Sequence, residues 1–234
     1  MRNTLADVVA AGLRVLDAQG LEGCSMRRVA AELGVQPSAL YHHVPDKQTL
    51  LALMADEIVA PVAREQTAAR AGAVSRVEDV ARAEAAVPDE TAARAEVTAP
   101  VEAGGGAAAA GAPAGGPDAD PRSFCVSLRD AMLAVRDGAD VVATAAAFRL
   151  GASGIERSLG ALVGADGART LLLYTFGHAQ STQTHRQAAA FGALVDPAAL
   201  PGRGAEEAPD PDLDLDASFG RGLDIILRGL DAPR

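Results

Sequence analysis

The chain is poor in aromatic residues and in lysine. It has no Trp, two Tyr and five Phe, and Lys47 is the single lysine beside 20 arginines. That Arg bias has the look of GC-rich coding rather than of function. With β-branched alternation also scarce, the Ala-, Leu- and Val-dominated remainder favours helix. Two cysteines, Cys24 and Cys125, stand far apart, which fits neither a zinc spacing nor a disulfide framework. A reduced cytoplasmic setting is expected. No apolar run approaches the about 20 residues a membrane span requires. The N-terminal apolar stretch is broken by Asp7, Arg14 and Asp17, so no secretory leader is expected.

Catalytic signatures are missing as well. Lys47 lacks the preceding glycines of a nucleotide-binding loop, there is no His-Glu-x-x-His, and Gly151-Ala152-Ser153-Gly154 falls one residue short of a nucleophile elbow. An enzyme is not expected, and neither is a cofactor. The formal net charge of −10 argues against a structural DNA-coating protein, which needs a strongly basic surface. Residues 1–50 are nonetheless neutral, with five cations against five anions. Such a head can still meet phosphates if its cations face them and the acidic body points away.

What is present is a helix–turn–helix pattern in the first fifth of 234 residues, a length that suits one or two domains. A first helix is predicted over residues 4–19, with Thr4 as cap and Gly20 as stop. Ser25 caps a second helix whose buried face is Val29, Ala30 and Leu33. Gly34-Val35 makes the turn, and Pro37 opens a third helix that sends Leu40 and Val44 to the core. Pro45 breaks that helix, and Asp46 caps a fourth carrying Leu50, Leu51, Leu53, Met54 and Ile58, with Pro61 near its end.

From about residue 63 the apolar periodicity fades, and residues 103–117 contain only Ala, Gly and Pro. This reads as a linker or insertion. Order returns at Ser123, where Phe124, Leu128, Met132 and Val135 form a helical stripe. Further helices are predicted over 155–163, 168–190 and 218–231, with a Pro/Asp-rich loop at 192–216. Glycines 220, 222 and 229 weaken the last helix unless another helix packs very close, which hints at a contact between subunits.

The head closely resembles the tetracycline-repressor (TetR) family of transcriptional regulators. The resemblance rests on Gly20-Leu21-Glu22-Gly23, Met26-Arg27-Arg28-Val29-Ala30, Leu33-Gly34-Val35, Leu40-Tyr41-His42-His43-Val44, Lys47 and Leu50-Leu51. A weaker likeness to the tetracycline repressor's own regulatory domain follows at Ser127-Leu128-Arg129, Val135-Arg136-Asp137-Gly138-Ala139, Gly177-His178, Phe219-Gly220-Arg221-Gly222-Leu223 and Gly229-Leu230. The resemblance implies an all-α fold. It would comprise a DNA-binding head with its connecting helix (1–62), a linker or insertion (63–120), and a larger helical domain for ligand binding and dimerisation (121–234).

By the same resemblance, Ser25, Met26, Arg27, Gln36, Pro37, Ser38, Ala39, Tyr41, His42, His43 and Lys47 would meet DNA. Arg27 would face a base edge, and Tyr41 and Lys47 phosphates. Plainer roles stand beside these: a solvated face for Arg27 and especially Arg28, core packing for Tyr41, a helix cap for Ser25. His42 and His43, as helix neighbours about 100° apart, chelate one ion poorly, and no metal is expected.

The family's drug–magnesium ligands fall here on Val142, Ala63 and Arg186, which offer a hard cation nothing. The effector site is therefore expected to be apolar, lined by Leu128, Val142, Phe148, Tyr174 and His178, and suited to a polyketide-like or lipophilic molecule. The polar stripe His178, Ser181, Thr182, His185 could serve that ligand, a dimer seam or water. Phe219, Leu223, Ile226, Leu227 and Leu230 would build the homodimer seam with the helix at 168–190. The expected function is a dimeric repressor on a palindromic operator of double-stranded DNA, released by the effector. An activator of the same fold, or a non-switching DNA binder, is the alternative.

Overall fold

The computed structural model describes residues 3–85, 120–194 and 214–231. Within them the chain forms eight helices: α1 (Leu5–Gly23), α2 (Met26–Glu32), α3 (Pro37–Tyr41), α4 (Lys47–Ala85), α5 (Pro121–Leu133), α6 (Gly138–Ala147), α7 (Ser153–Ala190) and α8 (Leu215–Asp231). The all-α expectation holds for these residues.

Helix boundaries in the head follow local chemistry. Thr4 and Asp7 form a reciprocal capping box at the start of α1. Gly20, at φ 72°, takes the left-handed backbone that ends the regular part of that helix. Ser25 Oγ accepts the Arg28 N–H to cap α2. α2 ends in a Schellman turn: the Val35 N–H donates to Ala30 O and the Gly34 N–H to Ala31 O, with Gly34 at φ 69°. Pro37 sits in the first turn of α3, and Asp46 accepts the Thr49 N–H at 2.7 Å to open α4.

α4 does not stop near Pro61. It carries that proline inside and continues to Ala85, so the expected boundary at residue 62 falls within one helix. The low-complexity stretch 103–117 lies outside the described residues. α4 packs on α1 in the head and on α5, α6 and α7 in the body, which makes it the beam joining the two. The stripe Phe124, Leu128, Met132 is fully buried in one core shared with Met54, Val59, Val142, Leu159 and Leu171.

α6 was not foreseen as a helix. Its sequence, Gly-Ala-Asp-Val-Val-Ala-Thr-Ala-Ala-Ala, offers only Asp140 and Thr144 as polar residues, too few to set a clear periodicity. The two helices predicted at 155–163 and 168–190 are the two arms of α7, bent at Gly164 with φ 77°. The close approach expected at the α8 glycines is found at Gly222, and it is intrachain: the Tyr174 hydroxyl lies against the glycine and donates to Phe219 O at 3.1 Å.

Candidate functional site

The exposed surface of α2, α3 and the following turn carries the expected DNA-facing residues. Arg27, Gln36, Ser38, Ala39, His42 and His43 are exposed, Tyr41 is 53% exposed, and Ser25, Pro37 and Lys47 are partly so. Met26 departs from the expectation. It is buried in the head's core because it shares one helix face with Val29 and Ala30, three and four residues on. It has no side chain to offer a base.

The two adjacent arginines differ. Arg28 Nη1 donates to Gly23 O at 2.8 Å, which ties it to the end of α1. Arg27 makes no hydrogen bond or ion pair with any described residue. A free guanidinium on an exposed face is what a base edge or phosphate would engage. Lys47 reaches back 3.5 Å to Leu21 O, so its charge is held at the junction of α1, α2 and α4. A groove of about 780 Å³ runs between the start of α1 and α3, with Thr4, Val35, Ala39, His42 and His43 on its walls.

Head and body are pinned at two places, one at each end of α6. At the first, Arg136 donates to Asp17 O and Ala18 O, capping orphan carbonyls at the end of α1. Asp137 next to it accepts the Leu21 N–H at 2.7 Å with one oxygen and Gln187 Nε2 at 2.5 Å with the other. Gln183 closes the same turn from α7, donating to Val135 O and accepting from the Ala139 N–H. At the second, Gly151 packs on the α4 backbone, where an added Cβ would come within 2.8 Å of Ala52 O. The Ala152 N–H donates to Asp56 at 2.7 Å.

Among the described residues, the non-glycine residues with positive φ are Asp137, Arg149 and Ala152, at 55°, 56° and 59°. All three sit at these two joints. A left-handed non-glycine residue costs about 1–3 kcal/mol and persists only where its surroundings hold it.

Among the described residues, the expected effector residues line neither cavity of the body described below. Leu128 and Val142 are fully buried in close-packed core, Phe148 is exposed past the end of α6, and Tyr174 and His178 pack on Phe219. Helical periodicity places residues on the inner face, and tight packing there leaves no room for a ligand. The polar stripe on α7 divides: Thr182 is buried 3.2 Å from His178 Nδ1, while Ser181 and His185 are exposed. Burial, with the nearby Arg129 charge, lowers the His178 pKa and favours its neutral ring.

Cavities lie elsewhere among the described residues of the body. One, of about 480 Å³, lies between the end of α6 and the two arms of α7; Ala143, Ala146, Leu172 and Phe176 form its apolar floor, and Arg149, Glu156 and Arg169 its rim. Gly151 and Ala152 of the second joint belong to its wall. Another, of about 520 Å³, is walled by α5, the end of α7 and the start of α8.

The seam residues also need correction. Phe219 and Leu223 are buried within their own chain, against α7 and α5, because α8 turns its most apolar stripe to the body. Ile226 and Leu227 are half-buried, and Leu230 is 39% exposed. Leu173 and Ile225, at 67% and 65% exposed, are large apolar side chains that α7 and α8 leave more open than Leu230, and sequence reasoning missed both. Among the described residues no helix is long and apolar enough to cross a membrane.

A family model described as bacterial regulatory proteins, tetR family, matches residues 8–54. The HTH-type transcriptional repressor DrrR1 of Streptomyces coeruleorubidus is 55% identical over 58 residues, which are 25% of this chain and 22% of that protein. The match thus spans under a quarter of the relative's length. Mycobacterium smegmatis BioQ is similar over 97% of both chains, at 26% identity and a TM-score of 0.64. BioQ with its double-stranded DNA operator is similar over 99% of both chains, at 24% identity and a TM-score of 0.60. Streptomyces coelicolor ActR in complex with (S)-DNPA is similar over 98% of both chains, at 24% identity and a TM-score of 0.54.

Proposed function

We propose that this chain is a regulator of the tetR kind, whose family model matches its residues 8–54, and that it is a dimeric repressor that binds a palindromic operator and leaves it when a mostly apolar small molecule binds the body. The observation that carries the reading is the pairing of an unpartnered Arg27 on an exposed helix–turn–helix with a body pinned to it at both ends of α6. Arg27 and the surface of α3 read the major groove, while Tyr41 and Lys47 fix register on phosphates. That DrrR1 is a transcriptional repressor and that BioQ is known with a double-stranded DNA operator are in keeping with this.

A second copy covers the apolar surface left by α7 and α8 at Leu173 and Ile225. Two heads then stand on one duplex, and their separation decides whether both half-sites are met. The cavity between α6 and α7 is where an apolar effector acts. Its wall contains Gly151 and Ala152, which rest on α4, so a ligand that favours a shifted α6–α7 turn moves the beam that carries the head. That ActR is described in complex with a small molecule supports a ligand-responsive body of this shape.

The test is a gel shift on the DNA flanking the chain's own gene, with a panel of apolar polyketides, and tetracycline with magnesium, added in turn. Release by an apolar compound, indifferent to magnesium, is expected. Release by tetracycline with magnesium alone would contradict the metal-free effector.

A further inference from the structure

We propose that the molecule taken up by the α6–α7 cavity carries one carboxylate on an otherwise apolar body, and that Arg149 holds the carboxylate. This rests on the reading of that cavity as the effector site.

Arg149 stands where a helix end is best served by glycine. α2, α6 and α7 close in the same Schellman turn. In α2 the Gly34 N–H donates to Ala31 O and the Val35 N–H to Ala30 O. In α7 the Gly192 and Ala193 N–H groups donate to Ala189 O and Ala188 O in the same pattern. In α6 those of Arg149 and Leu150 donate to Ala146 O and Ala145 O. The left-handed residue is Gly34 at φ 69° in the first, Gly192 at 63° in the second and Arg149 at 56° in the third. Glycine takes this backbone without steric cost, and arginine does not. The turn itself gains nothing from the arginine, which points to a use for the side chain.

The cavity supplies that use. Arg149 stands on its rim, beside an apolar floor of Ala143, Ala146, Leu172 and Phe176. Its guanidinium forms no hydrogen bond or ion pair with any described residue. The other two rim charges answer each other, with Arg169 Nη2 3.9 Å from Glu156 Oε1. Asp56 of α4 spends an oxygen on the Ala152 N–H and pairs with neither arginine. One positive charge is thus left at the mouth of an apolar cavity of about 480 Å³. The planar fork of Arg suits a carboxylate, and the floor takes the remainder of the molecule. The α5–α7–α8 cavity offers no such charge. There Asp224 holds Arg122 at 2.9 Å, and Asp216 takes Arg129 at 2.6 Å and Arg186 at 3.4 Å.

The same residue ties the ligand to the head. Arg149 lies in the turn whose Gly151 rests on the Ala52 backbone and whose Ala152 is bonded to Asp56, both on α4. An acid that engages Arg149 therefore acts on that turn directly.

Fluorescence titration of the full chain with 1-pyrenebutyrate and with its uncharged analogue 1-pyrenebutanol tests the assignment, in the wild type, in Arg149→Gly and in Ala147→Phe. The acid is expected to bind about tenfold more tightly than the alcohol and to lose that margin in R149G, while the alcohol is unmoved. The melting temperature of R149G should not fall, because glycine fits the left-handed position. Loss of acid selectivity without loss of stability is a result that a merely structural arginine would not give. Ala147 is exposed on the cavity wall, so A147F fills the space without touching the core and should weaken both probes. Equal affinity for acid and alcohol, or a margin that survives R149G, overturns the carboxylate assignment, and the cavity reading stands if A147F still weakens both probes. Binding of both probes untouched by A147F overturns the assignment and the cavity reading together.

Discussion

Arg27→Ala and Tyr41→Ala are each expected to abolish specific operator binding while leaving the dimer intact. Arg27 lies exposed at the second position of α2, and its guanidinium bonds to no other described residue. A bidentate Arg–guanine pair contributes about 1–3 kcal/mol per half-site, and a dimer would lose it twice. Since about 1.4 kcal/mol is tenfold, the loss runs from about thirtyfold to more than ten-thousandfold. Tyr41, half-exposed at the end of α3, is expected to weaken binding evenly across sequences, as a phosphate contact does. Neither side chain belongs to the buried core, so the melting temperature should stay within about a degree or two. Gel shifts at fixed physiological salt, beside sedimentation of the free protein, separate the two effects. Wild-type affinity in both variants would mean that α2 and α3 are not the DNA-reading elements.

The second large effect is expected at Asp137. Its two carboxylate oxygens take one donor from the head, the Leu21 N–H, and one from α7, Gln187. Asp137→Asn keeps a side chain that tolerates the left-handed backbone at φ 55°, but leaves one oxygen where two donors converge. Losing a buried or half-buried partner costs about 1–3 kcal/mol, which for a chain of this length lowers the melting midpoint by several degrees. The functional consequence is sharper. Operator affinity should persist, because Arg27 and Tyr41 are untouched, while release by effector shrinks toward onefold from the about 5–150-fold that such couplings span. Hydrogen exchange at the Leu21 amide should speed up together with that loss. An unchanged melting point and an unchanged Leu21 amide would show that the joint carries no load between body and head.

The head was legible because its signals are local. Thr4, Ser25, Gly34, Pro37 and Asp46 each act within three or four residues, and each does so in the fold. Met26 was misassigned because family position was followed over the local pattern, in which Met26, Val29 and Ala30 share one helix face. The body was less legible, for reasons of partnership. The apolar stripe of α8 predicted a buried face, which it has, but not whether its own chain or a second one would cover it. Leu128 and Val142 were read as lining a ligand site because an inward-facing residue can border a cavity or fill it, and only three-dimensional packing decides. Arg129 was passed over because nothing in one dimension announces that it sinks beneath Asp216 and Phe219. α6 escaped notice, and the stretch from residue 76 was read only as fragments of helix, since Ala-rich helix carries little periodicity to detect.

DNase footprinting of the full chain on the DNA that flanks its own gene tests the central claim most directly. Two protected half-sites of inverted sequence are expected, with centres one helical turn of about 10 base pairs apart or a multiple of it, and two chains bound per site. Arg27→Ala should erase both at the same salt. Diffuse, salt-driven coating without a discrete footprint, or a footprint that Arg27→Ala leaves in place, would contradict the account.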